Sequence, residues 1–148
     1  MAAKHTLTDL QMKAMNAIHR TMLTMSGGRL GNTVGNMPVV ELHTTGRTSG
    51  KRRSTMLTTP IRDDGTFVLV ASKGGDDRDP DWYRNLVADP EIELTVDGAT
   101  IALTARVASD EEKAELWPRI VDAYKGYAGY QRRTDRNIPV VICEPRSA

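Results

Sequence analysis

The chain has 148 residues and a formal net charge of +1, from 20 lysines and arginines against 19 aspartates and glutamates. That length suits one domain, and the balanced charge argues against the broad basic face that nucleic acids require. The lone cysteine, Cys143, excludes an internal disulfide and fits a reducing compartment. No stretch approaches the ~20 apolar residues of a membrane span or resembles a signal peptide, so we expect a cytoplasmic protein.

The first predicted element is a helix from Thr8 to Met25, which starts with the spacing of a capping box and ends at two glycines. Its apolar residues recur at helical spacing, as in a helix packed on a core. The alternative is an amphipathic helix that touches a membrane surface, although its basic residues are few. A connection rich in glycine and asparagine follows. We therefore expect residues 1–37 to precede a domain over residues 38–148.

Two β-prone runs, Val39–Thr45 and Thr55–Arg62, predict the first two strands. The Asp64-Gly65 dipeptide is a strong hairpin signal. It predicts that a third strand, over residues 66–71, pairs with the second. The third strand ends in Ser72-Lys73-Gly74-Gly75, a small and basic segment. Its distance from the basic loop described below depends on strand register, which the residues alone leave open.

The second half of the chain alternates helices and strands. We expect Asp79 to cap a short helix, with Pro80 at its first position. A hairpin with one buried face follows, and Ser109 with Glu112 predicts a capping box for the next helix. These elements are a helix over 81–88, strands over 92–96 and 101–105, a helix from Asp110 to about Ala123 and a last strand, Ile138–Cys143.

The tally is about six strands, mostly antiparallel because they form hairpins, and three helices. Such a set closes most simply into a small β-barrel with helices packed on it, an α+β arrangement. Cys143 falls in the last apolar strand, where we expect an inert core thiol.

The loop between the first two strands concentrates binding chemistry. Four of the eight residues from Gly46 to Arg53 are basic, two are glycine, and Thr48 and Ser49 add hydroxyls. Glycines let backbone N–H groups approach a guest, and guanidinium groups, hydroxyls and amides together suit a phosphate. A solvated turn is the alternative. The motif is not a P-loop, because a strand rather than a helix follows it.

Three tyrosines, Tyr124, Tyr127 and Tyr130, stand three residues apart with two glycines between them. They would cover one side of an unbroken helix, whereas the glycines favour a looser turn. Trp82, on the predicted short helix, suits either the core or the wall of a site.

Several kinds of chemistry lack their residues. The three histidines and Cys143 do not have the spacing of a metal site, no serine lies in a nucleophile elbow, and no histidine–carboxylate pair stands out. The remaining parts are typical of a protein that holds a large phosphorylated ring cofactor and leaves the chemistry to it.

Six motifs in this order resemble the deazaflavin-dependent nitroreductase and quinone reductase family, which has the split β-barrel of flavin-nucleotide-binding oxidoreductases. The match runs from about Pro38 to Pro145. The motifs are Thr45-Gly46-Arg47-Thr48-Ser49-Gly50, Ala71-Ser72-Lys73-Gly74-Gly75, Pro80-Asp81-Trp82-Tyr83-Arg84-Asn85-Leu86, Ala105-Arg106 with Trp117-Pro118, the three tyrosines, and Thr134-Asp135-Arg136-Asn137-Ile138-Pro139.

The resemblance implies the 8-hydroxy-5-deazaflavin coenzyme F-420, in its reduced form, as hydride donor. It implies that three groups of residues bind this cofactor. The phosphate and acidic tail go to Arg47, Thr48, Ser49, Gly50, Lys51 and Arg53; the ring lies over Ser54, Thr55, Met56 and Leu57; and the remaining walls are Val70, Ala71, Ser72, Lys73 and Gly74 on one side with Trp82, Tyr83 and Asn85 on the other.

The resemblance also implies that Tyr124, Tyr127 and Tyr130 cover the acceptor, with Tyr127 nearest the reacting atoms and Ser72 as a second donor. The acceptor would be a small planar molecule, namely a quinone, nitroaromatic or enone. A protonated tyrosine could stabilise the negative charge that hydride addition places on an oxygen. Some relatives carry proline and aromatic residues where this chain has Met56, Thr58 and Thr59, which implies a wider or more polar pocket.

Other functions fit the same elements. An FMN-dependent oxidoreductase on the same barrel would be yellow with a flavin spectrum. A non-catalytic cofactor-binding protein would bind tightly without turnover. A nucleic-acid-binding barrel would show steep salt dependence, and the near-neutral charge argues against it.

Overall fold

The structure is a computed structural model that describes residues 33–34 and 37–146, with side chains from Met37 onward. The predicted helix from Thr8 to Met25 and the boundary at residue 37 lie outside or at the limit of this range. The described elements, in chain order, are β1 (Thr33–Val34), β2 (Met37–Thr45), β3 (Arg52–Thr58), β4 (Ile61–Asp63), β5 (Thr66–Val70), a 3-10 turn (Lys73–Gly75), α1 (Asp81–Ala88), β6 (Glu91–Val96), β7 (Ala99–Val107), α2 (Asp110–Ala123), α3 (Gly126–Arg133) and β8 (Val140–Pro145).

Every strand pairing in the described part of the chain is antiparallel. The order across the sheet is β1-β2-β6-β7-β8-β5-β4, and β3 pairs with β2 beside this path. The sheet curls around a core that includes the fully buried Leu42, Phe67, Leu69 and Leu103. The predicted antiparallel α+β barrel is therefore confirmed, with two short strands more than the predicted six.

The second predicted strand, Thr55–Arg62, is wrong as one element because it is interrupted at Thr59-Pro60. Proline has no N–H to donate to a sheet ladder, and the Thr59 hydroxyl donates to the carbonyls of Ile61 and Val68 at 3.0 and 2.8 Å. β3 consequently pairs with β2, and β4 alone forms the hairpin with β5. The predicted hairpin between the second and third strands is reduced to that short pair.

Both predicted helices of the second half are confirmed with their bounds. The Ser109 hydroxyl accepts a bond from the Glu112 N–H at 3.1 Å, and the Glu112 carboxylate accepts one from the Ser109 N–H at 3.0 Å, which completes the capping box of α2. The predicted cap of α1 by Asp79 is wrong. Pro80 occupies the N-cap position without a side-chain bond, and the Asp79 carboxylate binds Arg136 instead.

The core has two parts. The larger lies between the sheet and α1 and includes Trp82 and Leu86. The smaller lies under α2 and α3 and includes Ile120, Ile138 and Tyr127. Cys143 is buried in the larger part, where burial raises the pKa of its thiol to about 12, as an inert core cysteine requires.

Candidate functional site

A cavity of about 760 Å³ opens where the β2–β3 loop, the segment after β5 and α1 meet. The loop contributes residues 46–49, the first half of β3 contributes residues 53–55, and α1 with its approach contributes residues 78–82, 84 and 85. Lys73 enters from the 3-10 turn and Thr44 from the end of β2. The basic loop and the Ser-Lys-Gly-Gly segment therefore share one cavity, although β3 and β5 are not neighbours in the sheet.

The β2–β3 loop is shaped by its own hydrogen bonds. The Gly46 N–H donates to the Lys51 carbonyl and the Gly50 N–H to the Gly46 carbonyl, both at 2.8 Å. Gly50 has a φ of +71°, which side chains rarely adopt. A Cβ at Gly46 would lie 2.7 Å from the Ser49 hydroxyl oxygen. The positive φ favours glycine at position 50, whereas a side chain at position 46 would displace the Ser49 hydroxyl. The loop holds its cationic and hydroxyl side chains at the cavity mouth.

Asn85 of α1 holds the β2–β3 loop through hydrogen bonds to Arg47. It is 5% exposed, and its side-chain oxygen accepts bonds from the Arg47 N–H at 3.2 Å and the Arg47 guanidinium at 2.8 Å. Its amide nitrogen lies 3.4 Å from the Thr44 hydroxyl, at the long end of hydrogen bonding. Asn85 lines the cavity, but these contacts give it the role of holding Arg47 in place.

The cavity wall is electropositive with two acidic positions. Among the described residues, five cations and two carboxylates line it: Arg47, Arg53, Lys73, Arg78 and Arg84, with Asp79 and Asp81. Each carboxylate has an arginine partner, since Asp81 lies 3.4 Å from Arg47 and Asp79 lies 3.1 Å from Arg136. Paired carboxylates leave the field of the cavity positive, which suits an anionic guest.

The tyrosine cluster lies at the other end of the 3-10 turn from the cavity. Tyr127 and Tyr130 are on α3, whereas Tyr124 is the C-cap of α2 and has an extended backbone, so the three tyrosines do not lie on one unbroken helix. The three rings contact one another with centroids 5.3 to 6.2 Å apart. Tyr127 is 5% exposed, with its hydroxyl oxygen 3.1 Å from that of Thr58 and 3.7 Å from the Met37 sulfur.

Burial keeps the phenols of α3 protonated. It raises the pKa of Tyr127 above its ordinary value, and the hydrogen bond with Thr58 opposes this only in part. Burial, together with the contact of its hydroxyl with that of Tyr124 at 3.3 Å, raises the pKa of Tyr130 to about 12. Both groups are therefore hydrogen-bond donors across the neutral range.

The structure brings half of the predicted cofactor residues to this cavity. They are Arg47, Thr48, Ser49, Arg53, Ser54, Thr55, Lys73, Trp82 and Asn85. Trp82 belongs both to the core and to the wall of the site, because it is 7% exposed, packs in the larger core and also lines the cavity.

The other predicted cofactor residues lie outside the cavity lining. Met56, Val70, Ala71 and Ser72 are buried, Leu57 and Tyr83 pack against the core, and Gly50, Lys51 and Gly74 are exposed in their loops. The hydroxyl of Thr59 is engaged with backbone carbonyls, so it adds no polarity to a pocket.

Sequence reasoning missed the cationic residues that flank α1. Arg78 lines the cavity while its guanidinium binds Asp76, whose side chain is fully buried, at 3.2 Å. Arg84 lies on the same face as Asp81, one helical turn away, at 4.0 Å. The available signal was the alternation of arginine with aspartate from residue 76 to 84.

A second polar cluster lies around His43, which is 7% exposed. Its Nδ1 is 2.7 Å from the Ser54 hydroxyl and its Nε2 is 2.8 Å from the Thr95 hydroxyl. Glu41 stands farther from the same Nε2, at 3.7 Å, a histidine–carboxylate approach that the sequence did not reveal. The two short contacts are to hydroxyls, so the carboxylate does not orient the ring through Nε2.

Within residues 37–146, no three acidic, histidine or cysteine side chains are arranged to hold a metal ion. No helix in the described part of the chain is long and apolar enough to cross a membrane.

Comparison with known proteins places these features in a family. Residues 15–145 match the family model described as F420H(2)-dependent quinone reductase. An F420H(2)-dependent quinone reductase of Mycobacterium tuberculosis is 40% identical over 134 residues, covering 87% of this chain and 89% of that protein. A second, putative one from the same organism is 39% identical over 110 residues, covering 74% of this chain and 92% of that protein.

Two solved structures of similar sequence have the same fold as this chain. An F420-H2-dependent reductase, FDR-A, superposes with a TM-score of 0.66 at 42% identity over 72% of this chain and 94% of that one. A chain described as a domain-swapped dimer superposes with a TM-score of 0.68 at 36% identity, over 89% of this chain and 98% of that one. The family model and the 40% identity extend beyond the barrel motifs to most of the sequence. The chain belongs to the F420H(2)-dependent quinone reductase family.

Proposed function

We propose that this chain is an oxidoreductase that transfers a hydride from reduced coenzyme F-420 to a quinone. Membership in the quinone reductase family supports the activity, and the electropositive cavity supports a phosphorylated, acidic cofactor. The main observation in support of the proposal is that the β2–β3 loop, Lys73 and α1 line one cavity. Its volume of about 760 Å³ and the guanidinium and hydroxyl donors of its lining residues fit a phosphate attached to a large ring.

In this proposal the cationic residues divide the binding work. Arg47 and Arg53 approach the phosphate from the β2–β3 loop and the start of β3, together with the hydroxyls of Thr48 and Ser49. Lys73, Arg78 and Arg84 face the acidic tail from the opposite wall. Trp82 offers a flat apolar surface for the ring. Lys51 and Gly50 act through the loop conformation, since they lie outside the cavity lining.

The cofactor supplies the hydride, and the protein positions the acceptor and provides protons. A hydride adds two electrons to the quinone and leaves negative charge on an oxygen, which one proton then neutralises to give the hydroquinone. A tyrosine hydroxyl held at that oxygen stabilises the charge as it develops. Tyr127 is the proposed donor because its phenol is buried, protonated and fixed beside Thr58 at the end of β3. Tyr130, Tyr124 and Ser72 are proposed as accessory groups around the same acceptor.

A fluorescence titration with oxidised F-420, with FMN beside it, tests the cofactor. We expect saturable binding of F-420, oxidation of its reduced form by a quinone, and no comparable affinity for FMN. Binding of FMN without binding of F-420 would leave the fold assignment unchanged but would indicate a flavin-dependent enzyme instead. Binding of F-420 without turnover on any quinone would leave a cofactor-binding protein.

A further part of the proposal concerns the membrane, where apolar quinones dissolve. The amphipathic pattern from Thr8 to Met25 would place that segment on a bilayer surface. We expect the full chain to sediment with phospholipid vesicles, and a variant without residues 1–30 to stay in solution while still binding F-420. Equal sedimentation of the two chains would contradict this contact.

A further inference from the structure

Residues 71–79, here called the wall segment, connect β5 to α1 and form one side of the cavity. The wall segment presents Lys73 and Arg78 to the cavity. Its backbone turns sharply, with φ of +45° at Lys73, +63° at Gly74 and +83° at Gly75. Two bonds within the segment close the turn, from the Gly75 N–H to the Ser72 carbonyl at 2.9 Å and from the Asp76 N–H to the Lys73 carbonyl at 3.1 Å. Contacts from outside the segment hold this turn relative to the residues before and after it.

Arg136, in the connection between α3 and β8, supplies those contacts. Its guanidinium donates to the carbonyls of Ala71 at 3.1 Å, Ser72 at 2.8 Å and Asp76 at 2.8 Å, and to the Asp79 carboxylate at 3.1 Å. These acceptors lie before the 3-10 turn, after it, and at the approach to α1. One side chain therefore ties the wall segment together at both ends and in the middle.

Arg136 is itself held from two directions. Its own carbonyl accepts a bond from the Gln131 amide at 2.8 Å, and its N–H donates to the Thr134 hydroxyl at 3.3 Å. The Arg136 side chain is only 15% exposed. A guanidinium that is already fixed and largely buried loses little conformational entropy when it hydrogen-bonds to the carbonyls of the wall segment. Arg136 is therefore well suited to hold that segment in one conformation.

We propose that Arg136 is a positioning residue for cofactor binding: it holds the wall segment in the conformation that directs Lys73 and Arg78 into the cavity, and Asp79 keeps its guanidinium in register. The inference rests on the proposed function, because it concerns the same cavity. Arg136 acts through the wall segment, since its guanidinium is directed at three carbonyls and a carboxylate rather than at the cavity.

The geometry requires arginine. A guanidinium carries five N–H donors in a rigid plane, whereas an ammonium is a compact group with three donors at the end of a flexible chain. Lysine at this position would keep the positive charge but could not span carbonyls from Ala71 to Asp76. The substitution Arg136→Lys therefore keeps the positive charge while it removes the hydrogen-bonding geometry.

The first experiment compares Arg136→Lys with Arg119→Lys by titration with oxidised F-420. Arg119 pairs with Asp63 on the surface at 3.0 Å and touches neither the wall segment nor the cavity lining, so it controls for a generic arginine-to-lysine change. We expect Arg136→Lys to raise the Kd by about tenfold or more, because small displacements of binding groups are costly. Arg119→Lys should leave the Kd unchanged.

Steady-state kinetics separate positioning from a general loss of structure. We expect Arg136→Lys to raise the KM for reduced F-420 while kcat at saturating coenzyme and the KM for the quinone change by less than about twofold, the pattern of lost binding. A purely structural role would instead lower the urea midpoint and leave the Kd of the folded protein at its wild-type value. That result would overturn the inference.

A second variant keeps the inference testable if Arg136→Lys does not fold. Asp79 lines the cavity with a negative charge, so removing that charge should by electrostatics alone tighten the binding of an anion. If Asp79 works by holding Arg136, Asp79→Ala, which removes both the charge and the acceptor oxygen, should weaken binding by a few-fold. The sign of the change decides between the two, and unchanged or tighter binding would refute the clamp.

The same titrations separate this inference from the proposed function. Wild-type protein that binds no F-420 would refute the proposed function itself. Wild-type protein that binds F-420, beside an Arg136→Lys variant that folds and binds it equally well, would refute the positioning role alone.

Discussion

The cavity and the tyrosine cluster meet at the same 3-10 turn, Lys73–Gly75, but they are built in opposite ways. The cavity is lined by solvent-accessible cations, such as Arg47, which pairs with the exposed Asp81. The cluster is an apolar pack in which Tyr127 is 5% exposed and burial raises its pKa. The cavity would act through charges that solvent can reach, and the cluster through neutral hydroxyls, of which that of Tyr127 is buried.

The contrast indicates how each region should respond to change. Exposed charges are screened by salt, so binding in the cavity should weaken as ionic strength rises. Buried neutral hydroxyls are insensitive to salt and depend on packing.

The largest effect is expected from Gly75→Ala. A Cβ at Gly75 would lie 2.8 Å from the Tyr130 carbonyl oxygen and 2.9 Å from the Arg133 Cβ, at a φ of +83°. We expect a loss of about 3–5 kcal/mol in the free energy of unfolding, because strain and a backbone clash combine. Gly74→Ala is the matched control, since its φ is also positive but nothing lies within 4 Å of its Cβ. It should cost about 1–2 kcal/mol. Equal losses in urea denaturation would show that α3 does not press on the turn.

The next effect concerns the tyrosine cluster alone. Tyr127→Phe should lower kcat by about 100-fold, near 2.7 kcal/mol, because it removes a hydroxyl proposed to stabilise the developing charge. Its Kd for F-420 should stay at the wild-type value. Tyr124→Phe, at a ring that is 40% exposed, is the control and should change kcat much less. A fall in affinity with an unchanged kcat would place Tyr127 among the binding groups instead.

The cavity is tested by Arg53→Ala against Arg52→Ala. The two arginines are neighbours on β3, but Arg53 lines the cavity whereas Arg52 pairs with Glu93 on another face. We expect Arg53→Ala to weaken binding of oxidised F-420 by about 1.5–3 kcal/mol, the range for a hydrogen bond to a charged group. Arg52→Ala should change it little, and the difference should shrink in high salt. Equal effects of both variants would indicate general attraction rather than a contact.

The smallest effect is a pH dependence of stability to which the tyrosine cluster contributes. The pKa of Tyr130 is raised to about 12, above the ~10 of an unfolded tyrosine, so the folded state holds this proton more tightly. Its contribution to stability is therefore complete below pH ~10 and is lost as pH rises towards about 12. The urea concentration at the midpoint of unfolding should decrease between pH ~10 and about 12, while tyrosinate absorbance follows the ionisation. In Tyr130→Phe the fall should be smaller, and an identical pH profile would assign it to other groups.

Much of the local structure could be predicted from residues that act on their near neighbours. Ser109 and Glu112 interact across one helical turn, so their capping box and the bounds of α2 were readable. The cluster of basic residues between two β-prone runs identified the cavity loop for the same reason. The family motifs added the cofactor, which no local pattern specifies.

Other features were missed because they depend on distant partners. Asp79 follows a favourable pattern for a helix cap, yet it binds Arg136, which is far away in sequence. Thr59 looked like a strand residue, but its hydroxyl bonds to Val68 of β5 and the strand ends there. In both cases a tertiary hydrogen bond overrode a local preference.

Propensity, capping and motifs are short-range properties, and they predicted the bounds of α1 and α2, the loop that carries the basic residues and the family of the chain. They did not predict the break at Thr59-Pro60, and they left open whether the tyrosines lie on a helix. Only the tertiary structure decided that β3 pairs with β2 alone, that Arg78 and Arg84 join the basic loop around one cavity, and that Arg136 reaches the wall segment. Those arrangements depend on how the curled sheet brings distant segments together, since contacts between them are made by packing and long-range hydrogen bonds rather than by neighbours in the chain.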